Sequence, residues 1–316
     1  MSEIKSVYPQ RIGEHAVCMQ MFQRAAILGV TGFVGSGLPA CLSKHGIAST
    51  GVSRAGRGAV PGVVGWQEIQ RLDFSGHDAV INLAGERIDQ RWSEARQRVF
   101  HESRVGLTRS VVAAMGRLAP EQRPRVLVNA SAVGIYGDRG DEVLNENAAR
   151  GSGYLADLCH EWECAADEAA DLGVRVVKLR IGMVLGKNGP AFEKLRTVFK
   201  LGVGGRLGSG QQWMSWIHVE DLRAAIVHAV VSETLRGAVN ATAPVPERNV
   251  DFTRKLASAL RRPALFPVPP CALKLALGEF SSVLLAGQRV LPGALLADGF
   301  EFRFRTLESA LGDLLA

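Results

Sequence analysis

Short apolar runs alternate with amphipathic helical stretches along the first two thirds of this sequence. The runs read RAAILGV, IASTGVSR, DAVINLAG, RVLVNASAVGIYG and VRVVKLRIGMVLG, with little alternation between polar and apolar positions. Strands of this kind are buried on both faces, as in parallel sheets that helices cover on either side. Helical spacing between the runs is clearest over residues 92–118 and 154–171. The pattern therefore predicts an α/β fold built on a doubly wound parallel sheet.

The end of the chain has a different character. After the strand end and helix of MSWIHVEDLRAAIVHAV, prolines cluster within residues 263–270 and short helical stretches follow. We expect the doubly wound domain over residues 24–244 and a smaller, partly helical substrate-covering domain over 245–316. Residues 190–215 are expected to contribute to the substrate side. Residues 1–23 precede the first strand and are expected to form a flexible extension.

Charge and cysteine content narrow the classes of function. The net charge is +6, but the arginines are spread along the chain and aromatic residues make up only 6%. Nucleic-acid faces show clustered cations with stacking aromatics instead. No apolar run reaches the roughly 18 residues of a membrane span, and the five cysteines have no metal-binding spacing. We expect a cytoplasmic protein with a small-molecule substrate and no nucleic-acid, membrane or metal partner.

The stretch AILGVTGFVGSGL places glycines at positions 29, 32 and 35, directly after the first strand and at the start of a helix. In dinucleotide-binding folds the first glycine permits a tight turn and the second lets the backbone approach the pyrophosphate. The third lets helix and strand pack closely. Backbone N–H groups at the helix start then face the anion. This context predicts a dinucleotide site rather than a structural turn alone.

The end of the second strand distinguishes the two nicotinamide dinucleotides. NAD sites favour an acidic residue there, whereas a cation suits the 2′-phosphate of NADP. This chain has Ser53 and Arg54 at that point, Arg57 nearby, and no acid before Glu68. Since an arginine fork matches phosphate geometry, we predict NADP(H) as the cofactor.

Several motifs occur in a fixed order: GVTGFVG, VSR, NLAGE, RW…SRV, SAVGIYG, VVKLRIGMVLG and SWIHVEDL. Together they resemble the atypical, extended branch of the short-chain dehydrogenase/reductase superfamily, which is NAD-dependent epimerase/dehydratase-like and has its own C-terminal domain. The stretches LGSGQQWMSWIH and GQRVLP…LLADGFEFRF are similar to the epimerase family proteins of that branch, short-chain dehydrogenase family 39U. The resemblance covers residues 24–316.

The resemblance implies a Rossmann domain that binds NADP(H) across its strand ends. Carried over motif by motif, the cofactor-binding residues are expected to be Gly29, Gly32, Phe33, Val34, Gly35, Ser53, Arg54, Leu83, Ala84, Gly85, Arg104 and Val184. For Leu83, Ala84 and Val184 the alternative is a plain position in the core.

The catalytic residues of the superfamily are not all present in this sequence. Reductases of this superfamily use a tyrosine as acid or base, a lysine four residues later that lowers the pKa of the phenol, and a serine near the substrate oxygen. The tyrosine candidate is Tyr154 in GYLADLCHEWE, but Leu158 stands four residues later. Aligning the helix by Glu163 puts Leu155 and Cys159 at the two positions instead. Neither register contains the lysine.

Other side chains are candidates for the missing chemistry. Ser131 lies one residue before the usual serine position, and a shift of one residue in a strand turns a side chain to the other face. Tyr136 and His218 are alternative acids or bases, with aromatic packing and a helix-start position as their structural interpretations. The remaining alternative is Tyr154 without a lysine, where an arginine or the cofactor charge lowers the pKa of the phenol.

Two functions follow from this incomplete set. The first is an NADP(H)-dependent oxidoreductase or epimerase that acts on a small polar or carbonyl substrate between the Rossmann strand ends and the C-terminal domain. The second is a non-catalytic NADP(H)-binding regulator, which the resemblance links to cell division through some relatives. The resemblance also implies a homodimer.

Overall fold

A computed structural model describes residues 22–264 and 266–316 of the chain. The expected extension over residues 1–23 therefore lies outside the described residues, apart from its last two. Within the described ranges no helix has the length and apolar character needed to cross a membrane. The same ranges contain no group of three or more His, Cys, Asp or Glu side chains placed to hold a metal ion.

Strands and helices alternate through the described residues. The strands are β1 (Arg24–Leu28), β2 (Ala48–Ser53), β3 (Val63–Glu68), β4 (Ala79–Asn82), β5 (Val126–Ala132), β6 (Val143–Leu144), β7 (Arg175–Ile181), β8 (Met183–Leu185), β9 (Trp213–Met214), β10 (Trp216–His218), β11 (Gly237–Ala241), β12 (Glu247–Arg248) and β13 (Arg289–Val290). The α-helices are α1 (Leu38–Ser43), α2 (Glu94–His101), α3 (Leu107–Gly116), α4 (Tyr154–Asp167), α5 (Pro190–Lys200), α6 (Val219–Val231), α7 (Asn249–Leu260), α8 (Pro270–Leu277), α9 (Ser281–Leu285), α10 (Gly293–Ala297) and α11 (Leu307–Leu315).

The main sheet has the order β11-β7-β5-β4-β1-β2-β3, and each neighbouring pair is parallel. This confirms the doubly wound α/β fold. The chain leaves β1 toward β2 on one side and returns to β4 on the other, so the order reverses between β1 and β4. Ligands of open α/β sheets bind at the carboxyl ends of the strands beside such a reversal.

The sheet is buried on both faces, as its apolar strands predict. Along β1, Ala25 and Ile27 pack into the hydrophobic cluster that contains α1 and α6. Ala26 and Leu28 alternate with them and pack into the cluster that contains α3 and α4. Because successive side chains of a strand point to opposite faces, β1 is fixed between two layers of helices. Its carboxyl end is therefore a rigid support for the turn that follows it.

Two stretches differ from the sequence-based expectation. The irregular stretch expected after β2 contains β3, whose pattern VVGWQE is too polar to stand out because it forms the edge of the sheet. The fifth apolar run is two strands, β7 in the main sheet and β8 paired with β10. Gly182 separates the two strands. This position requires glycine, because a Cβ there would lie 2.6 Å from the carbonyl oxygen of Ser215.

The long helix expected over residues 92–118 is interrupted. A π-helical turn, Glu102–Gly106, joins α2 to α3. Such a turn accommodates one extra residue in the helix and is frequent at functional sites. An apolar spacing of three and four residues does not signal it, so the sequence predicts one continuous helix there.

A buried ion pair joins α4 to β7. Arg180 donates from Nε and Nη2 to the two carboxylate oxygens of Glu163, each at 2.9 Å, and both side chains are almost fully buried. Burial by itself lowers the pKa of the guanidinium, but the paired carboxylate outweighs it and raises that pKa above its ordinary value. A buried charge is tolerated only when it is paired in this way.

Removing Glu163 should therefore destabilise the fold strongly. We expect Glu163→Ala to lower the free energy of unfolding by about 3–5 kcal/mol, because it leaves the buried Arg180 cation without its carboxylate partner. Urea unfolding followed by circular dichroism measures the change. The control is Glu94→Ala, since the carboxylate of Glu94 is 91% exposed at 4.0 Å from Arg98 and surface pairs contribute about 0–1 kcal/mol. Equal shifts for the two variants would contradict the prediction.

Candidate functional site

The glycine turn after β1 has no room for a Cβ at its first and third glycines. Gly29 has a φ of +79°, and a Cβ on it would lie 2.9 Å from the carbonyl carbon of Leu83. A Cβ on Gly35 would lie 2.3 Å from the carbonyl oxygen of Gly29. The N–H of Gly32 donates to that same oxygen at 2.9 Å and closes the turn. The positions of the first and third glycines thus require glycine, as a cradle built from bare backbone does.

An arginine from α6 fixes the far side of this turn. Arg223 donates from Nε to the carbonyl oxygen of Val34 at 3.0 Å and from Nη2 to that of Phe33 at 2.7 Å. The Phe33 ring in turn packs so closely on Gly186 that a Cβ there would meet it at 2.4 Å. The backbone of the turn is therefore held from both sides. Sequence reasoning missed Arg223, because nothing in its neighbourhood signals a partner 189 residues away.

The segment after β2 carries Arg54 at the carboxyl ends of the strands, where the glycine turn also lies. Val52 pairs with Leu28, so Arg54 follows its strand at the level of the glycine turn. Ser53 donates from Oγ to the carbonyl oxygen of Arg57 at 2.9 Å and accepts the Arg57 N–H at 3.2 Å. The Arg54 side chain is exposed and makes no hydrogen bond or ion pair within the described residues. The Ser53 hydroxyl thus closes the turn that carries Arg54, and its phosphate contact stays a prediction.

The loop after β4 lies against the glycine turn and meets Arg104. The N–H of Leu83 donates to the carbonyl oxygen of Leu28 at 3.0 Å. A Cβ on Gly85 would lie 3.3 Å from Cζ of Arg104. Arg104 donates from Nη2 to the carbonyl oxygen of Glu86 at 2.9 Å, and burial lowers the pKa of its guanidinium. The structure therefore brings the NLAG motif and the SRV motif together.

The remaining cofactor candidates occupy flanking positions. The backbone N–H of Ala84 donates to Oδ1 of Asn82 at 3.3 Å, which fixes the start of the NLAG loop. Val184 in β8 pairs with Ile217 of β10 and packs against the main core. Contacts of Ala84 and Val184 with a cofactor stay predictions.

Two hydroxyl candidates are bound within the protein. Ser131 donates to Oε1 of Glu163 at 2.7 Å and is 3% exposed. Tyr136 is fully buried, donates to Oδ1 of Asn240 at 2.7 Å and accepts from Nη1 of Arg180 at 2.9 Å. Burial raises the pKa of the Tyr136 phenol. These contacts favour a structural role for both residues, and their catalytic roles stay predictions.

His218 lies at the start of α6, where it accepts the N–H of Glu220 at Nδ1 over 3.2 Å. Its ring is 1% exposed and lies 3.9 Å from the ring of Phe304, between centroids. Burial lowers the pKa of the imidazole, although Nε2 is 3.4 Å from the carboxylate of Asp313. Asp221 accepts backbone N–H groups of the C-terminal segment at 2.9 Å. The WIHVEDL motif therefore anchors that segment.

Tyr154 is the candidate that lies beside the connection between β4 and α2. Its phenol donates to the carbonyl oxygen of Gln97 at 3.2 Å, and its ring lies 5.2 Å from that of Trp92, between centroids. Burial raises the pKa of the phenol, and the Arg104 charge opposes that rise. One turn further along α4, Cys159 is buried, and burial raises the pKa of its thiol to about 12. A neutral thiol thus stands at one of the two positions considered for the lysine.

The connection between β4 and α2, residues 83–93, forms a bridge to α5, α8 and Phe280. The carboxylate of Asp89 lies 2.6 Å from Nζ of Lys194 in α5. Arg91 donates to the last carbonyl groups of α8, which a helix C-terminus leaves unpaired. The Trp92 ring reaches Phe280 at 6.4 Å between centroids. Sequence reasoning missed this bridge, because its partners lie 105 and more residues away.

Comparison with known proteins places these features in a family. The profile described as the NAD dependent epimerase/dehydratase family matches residues 25–241, and a domain of unknown function, DUF1731, matches residues 268–314. The chain is 41% identical over 295 residues to the chloroplastic epimerase family protein SDR39U1 homolog of Arabidopsis thaliana, which covers 90% of this chain and 85% of that protein. It is 40% identical over 296 residues to an epimerase family protein of Mycobacterium bovis, with 91% and 96% covered.

Solved structures agree with the sequence relatives. The human epimerase family protein SDR39U1 (isoform 2), whose crystal structure was determined with NADPH, superimposes with a TM-score of 0.84 at 32% identity. The superposition covers 93% of this chain and 99% of the human chain. The family resemblance inferred from the ordered motifs is thus confirmed.

The burial of His218 predicts a dependence of stability on pH. The pKa of the folded imidazole lies below its ordinary value near 6.5, so the unfolded chain binds a proton that the folded chain excludes. The free energy of unfolding should fall as the pH is lowered through about 6.5. His218→Asn keeps a capping acceptor and should make that slope shallower, by at most about 1.4 kcal/mol per pH unit.

Urea midpoints between pH 7.5 and 5 test this prediction. His45→Asn, at an exposed histidine, is the matched control and should leave the slope as it is. His77 also has a pKa lowered by burial, so part of the slope should remain in His218→Asn. A slope that is identical in His218→Asn and in the unaltered protein would refute the assignment.

Proposed function

The chain belongs to the NAD dependent epimerase/dehydratase family, and from that premise we propose that it binds NADP(H) at the carboxyl ends of β1, β2 and β4. The observation that carries the proposal is the fit of the cradle to a dinucleotide. Gly29 and Gly35 leave no space for a Cβ, so the turn packs tightly against the backbone of its own start and of the loop after β4, as the turn of a dinucleotide site does. Arg54 at the end of β2 has no partner within the described residues and suits a 2′-phosphate.

The residues that would hold the cofactor divide by its parts. The glycine turn, fixed by Arg223, would bind the pyrophosphate, and Arg54 would bind the 2′-phosphate. The loop at Leu83–Gly85 would line the adenosine side, and Arg104 would approach from the opposite flank. When bound, the nicotinamide supplies a hydride donor or acceptor.

For the reaction, we propose an oxidoreductase or epimerase that acts on a small polar or carbonyl substrate. The substrate would lie in the crevice between the strand ends and the C-terminal helices, where the bridge that carries Trp92 crosses. Tyr154 would be the acid or base, since its phenol lies beside that bridge. The hydroxyls of Ser131 and Tyr136 are bound to buried partners, which makes them weaker candidates.

A second function is favoured by a specific observation. No lysine occurs in α4, and Ser131, Tyr136 and Nδ1 of His218 are hydrogen-bonded within the protein, whereas Nε2 of buried His218 has no hydrogen-bond partner among the described residues. A cofactor site without assembled catalytic groups is what a non-catalytic NADP(H)-binding regulator needs. Turnover, rather than binding, therefore distinguishes the two proposals.

Arg54→Ala should weaken NADPH binding and leave NADH binding almost unchanged. A hydrogen bond to a charged group contributes about 1.5–3 kcal/mol, so we expect roughly a 10–100-fold rise in the Kd for NADPH. Isothermal titration calorimetry measures both cofactors. Arg98→Ala, which removes a 74% exposed arginine of α2, controls for the loss of net charge. Equal losses for NADPH and NADH would overturn the assignment of Arg54.

Turnover tests the proposed enzyme. An oxidoreductase should consume NADPH with at least one member of a broad panel of aldehydes, ketones and oxidised sugars, followed at 340 nm. An epimerase returns the hydride to its substrate, so it should convert a substrate without net loss of NADPH. Tyr154→Phe should reduce that rate by about 10²–10⁴-fold, since it removes the proton that general acid–base catalysis needs. Its NADPH affinity, measured by calorimetry, should stay within a few-fold. NADPH binding without turnover of any substrate would favour the regulator instead.

A further inference from the structure

We infer that Arg104 is the positioning residue of the Tyr154 phenol, whose charged form it stabilises in place of a cation on α4. The inference rests on the proposed function for its catalytic meaning, whereas the pairing of the two side chains is a property of the chain alone. Both side chains contact one helix, α2.

The two side chains are anchored on neighbouring carbonyl groups of α2. Tyr154 donates to the carbonyl oxygen of Gln97 at 3.2 Å, and Arg104 donates from Nη1 to that of Phe100 at 3.4 Å. Groups three residues apart on a helix are neighbours, about 5 Å from one another. The phenol oxygen and the guanidinium are therefore both held against the same turn of α2.

The guanidinium of Arg104 is held in this place by a further hydrogen bond and by a cation–π contact. It donates to the carbonyl oxygen of Glu86 at 2.9 Å, and its Cζ lies 5.3 Å from the ring centroid of Trp162. The residue itself lies on the π-helical turn, which sets its direction relative to α2. No carboxylate among the described residues lies within ion-pair distance of the Arg104 charge, which acts on the phenol.

Among the groups around the Tyr154 phenol, Arg104 is the one that lowers its pKa. Burial raises the pKa of Tyr154, Arg104 lowers it, and Cys159 and Glu161 raise it. The Cys159 thiol is neutral near pH 7, because burial raises its pKa to about 12. Glu161 is half exposed and lies 2.8 Å from His101. Arg104 is thus the cation among these groups that opposes burial.

The chemical consequence is a stabilised conjugate base. When the phenol gives its proton to a substrate oxygen, the O–H bond breaks, the electron pair stays on Tyr154, and the oxygen gains the proton. The resulting phenolate carries one negative charge next to Arg104. A cation beside an acid favours its charged form, and a lower pKa brings the phenol closer to the pH range in which general acids and bases work.

Tyrosine titration tests the pairing without cofactor or substrate. The chain has only three tyrosines, at positions 8, 136 and 154, so ¹³Cζ-tyrosine labelling gives three carbon resonances, and Tyr154→Phe identifies the one from Tyr154. We expect Arg104→Gln to make the Tyr154 phenol about tenfold less acidic, because it removes the neighbouring charge that favours the phenolate. Arg104→Lys should restore most of the acidity. Arg98→Gln, on the same helix but exposed, should change nothing.

Two features keep the test decisive. The resonance of buried Tyr136 reports whether each variant is folded, and Arg104→Met provides a second neutral variant that keeps an apolar contact with Trp162. An unchanged Tyr154 titration in folded Arg104→Gln or Arg104→Met overturns the inference. If NADPH does not bind in calorimetry, the proposed function is contradicted but this titration is unaffected. The two failures are therefore distinguishable.

Discussion

The close approach of two backbone segments at the reversal of strand order is the constraint on which this structure depends. The turn after β1 and the loop after β4 touch through Gly29 and Leu83, with no space for a side chain between them. The sheet supplies the rigid base, because β1 is buried against helices on both faces. Arg223 supplies the clamp from α6. The buried strand, the glycine turn and the Arg223 hydrogen bonds together fix a strip of backbone at the carboxyl ends of β1 and β4.

The proposed chemistry is arranged around that strip by elements distant in sequence. Arg54 reaches it from β2, Arg104 from the π-helical turn, and the bridge after β4 carries Trp92 toward the C-terminal domain. The hydroxyls at Ser131 and Tyr136 belong to a buried network with Glu163 and Arg180 below the strand ends. Stability and proposed function thus use different polar groups of the same strands.

The sequence predicts what depends on local spacing. The glycine turn, Arg54 and the apolar strands follow from residues close together in the chain, and the structure places them as expected. The partners of Arg223, Arg91 and Ser131 are not predictable in this way, because each lies on a separate element and the contact exists only after folding. The edge strand β3 escaped notice for a related reason, since it lacks the continuous apolar run of a central strand.

The π-helical turn at Glu102–Gly106 has a consequence for how this region tolerates change. Its extra residue sets the angular phase between α2 and α3, and every side chain after it is rotated by about 100° relative to an uninterrupted helix. Deleting a single residue there would restore a regular helix. It would also rotate either Arg104 away from its contacts or Val111 away from the core. Insertions and deletions in this segment are therefore constrained by geometry, even where individual substitutions are not.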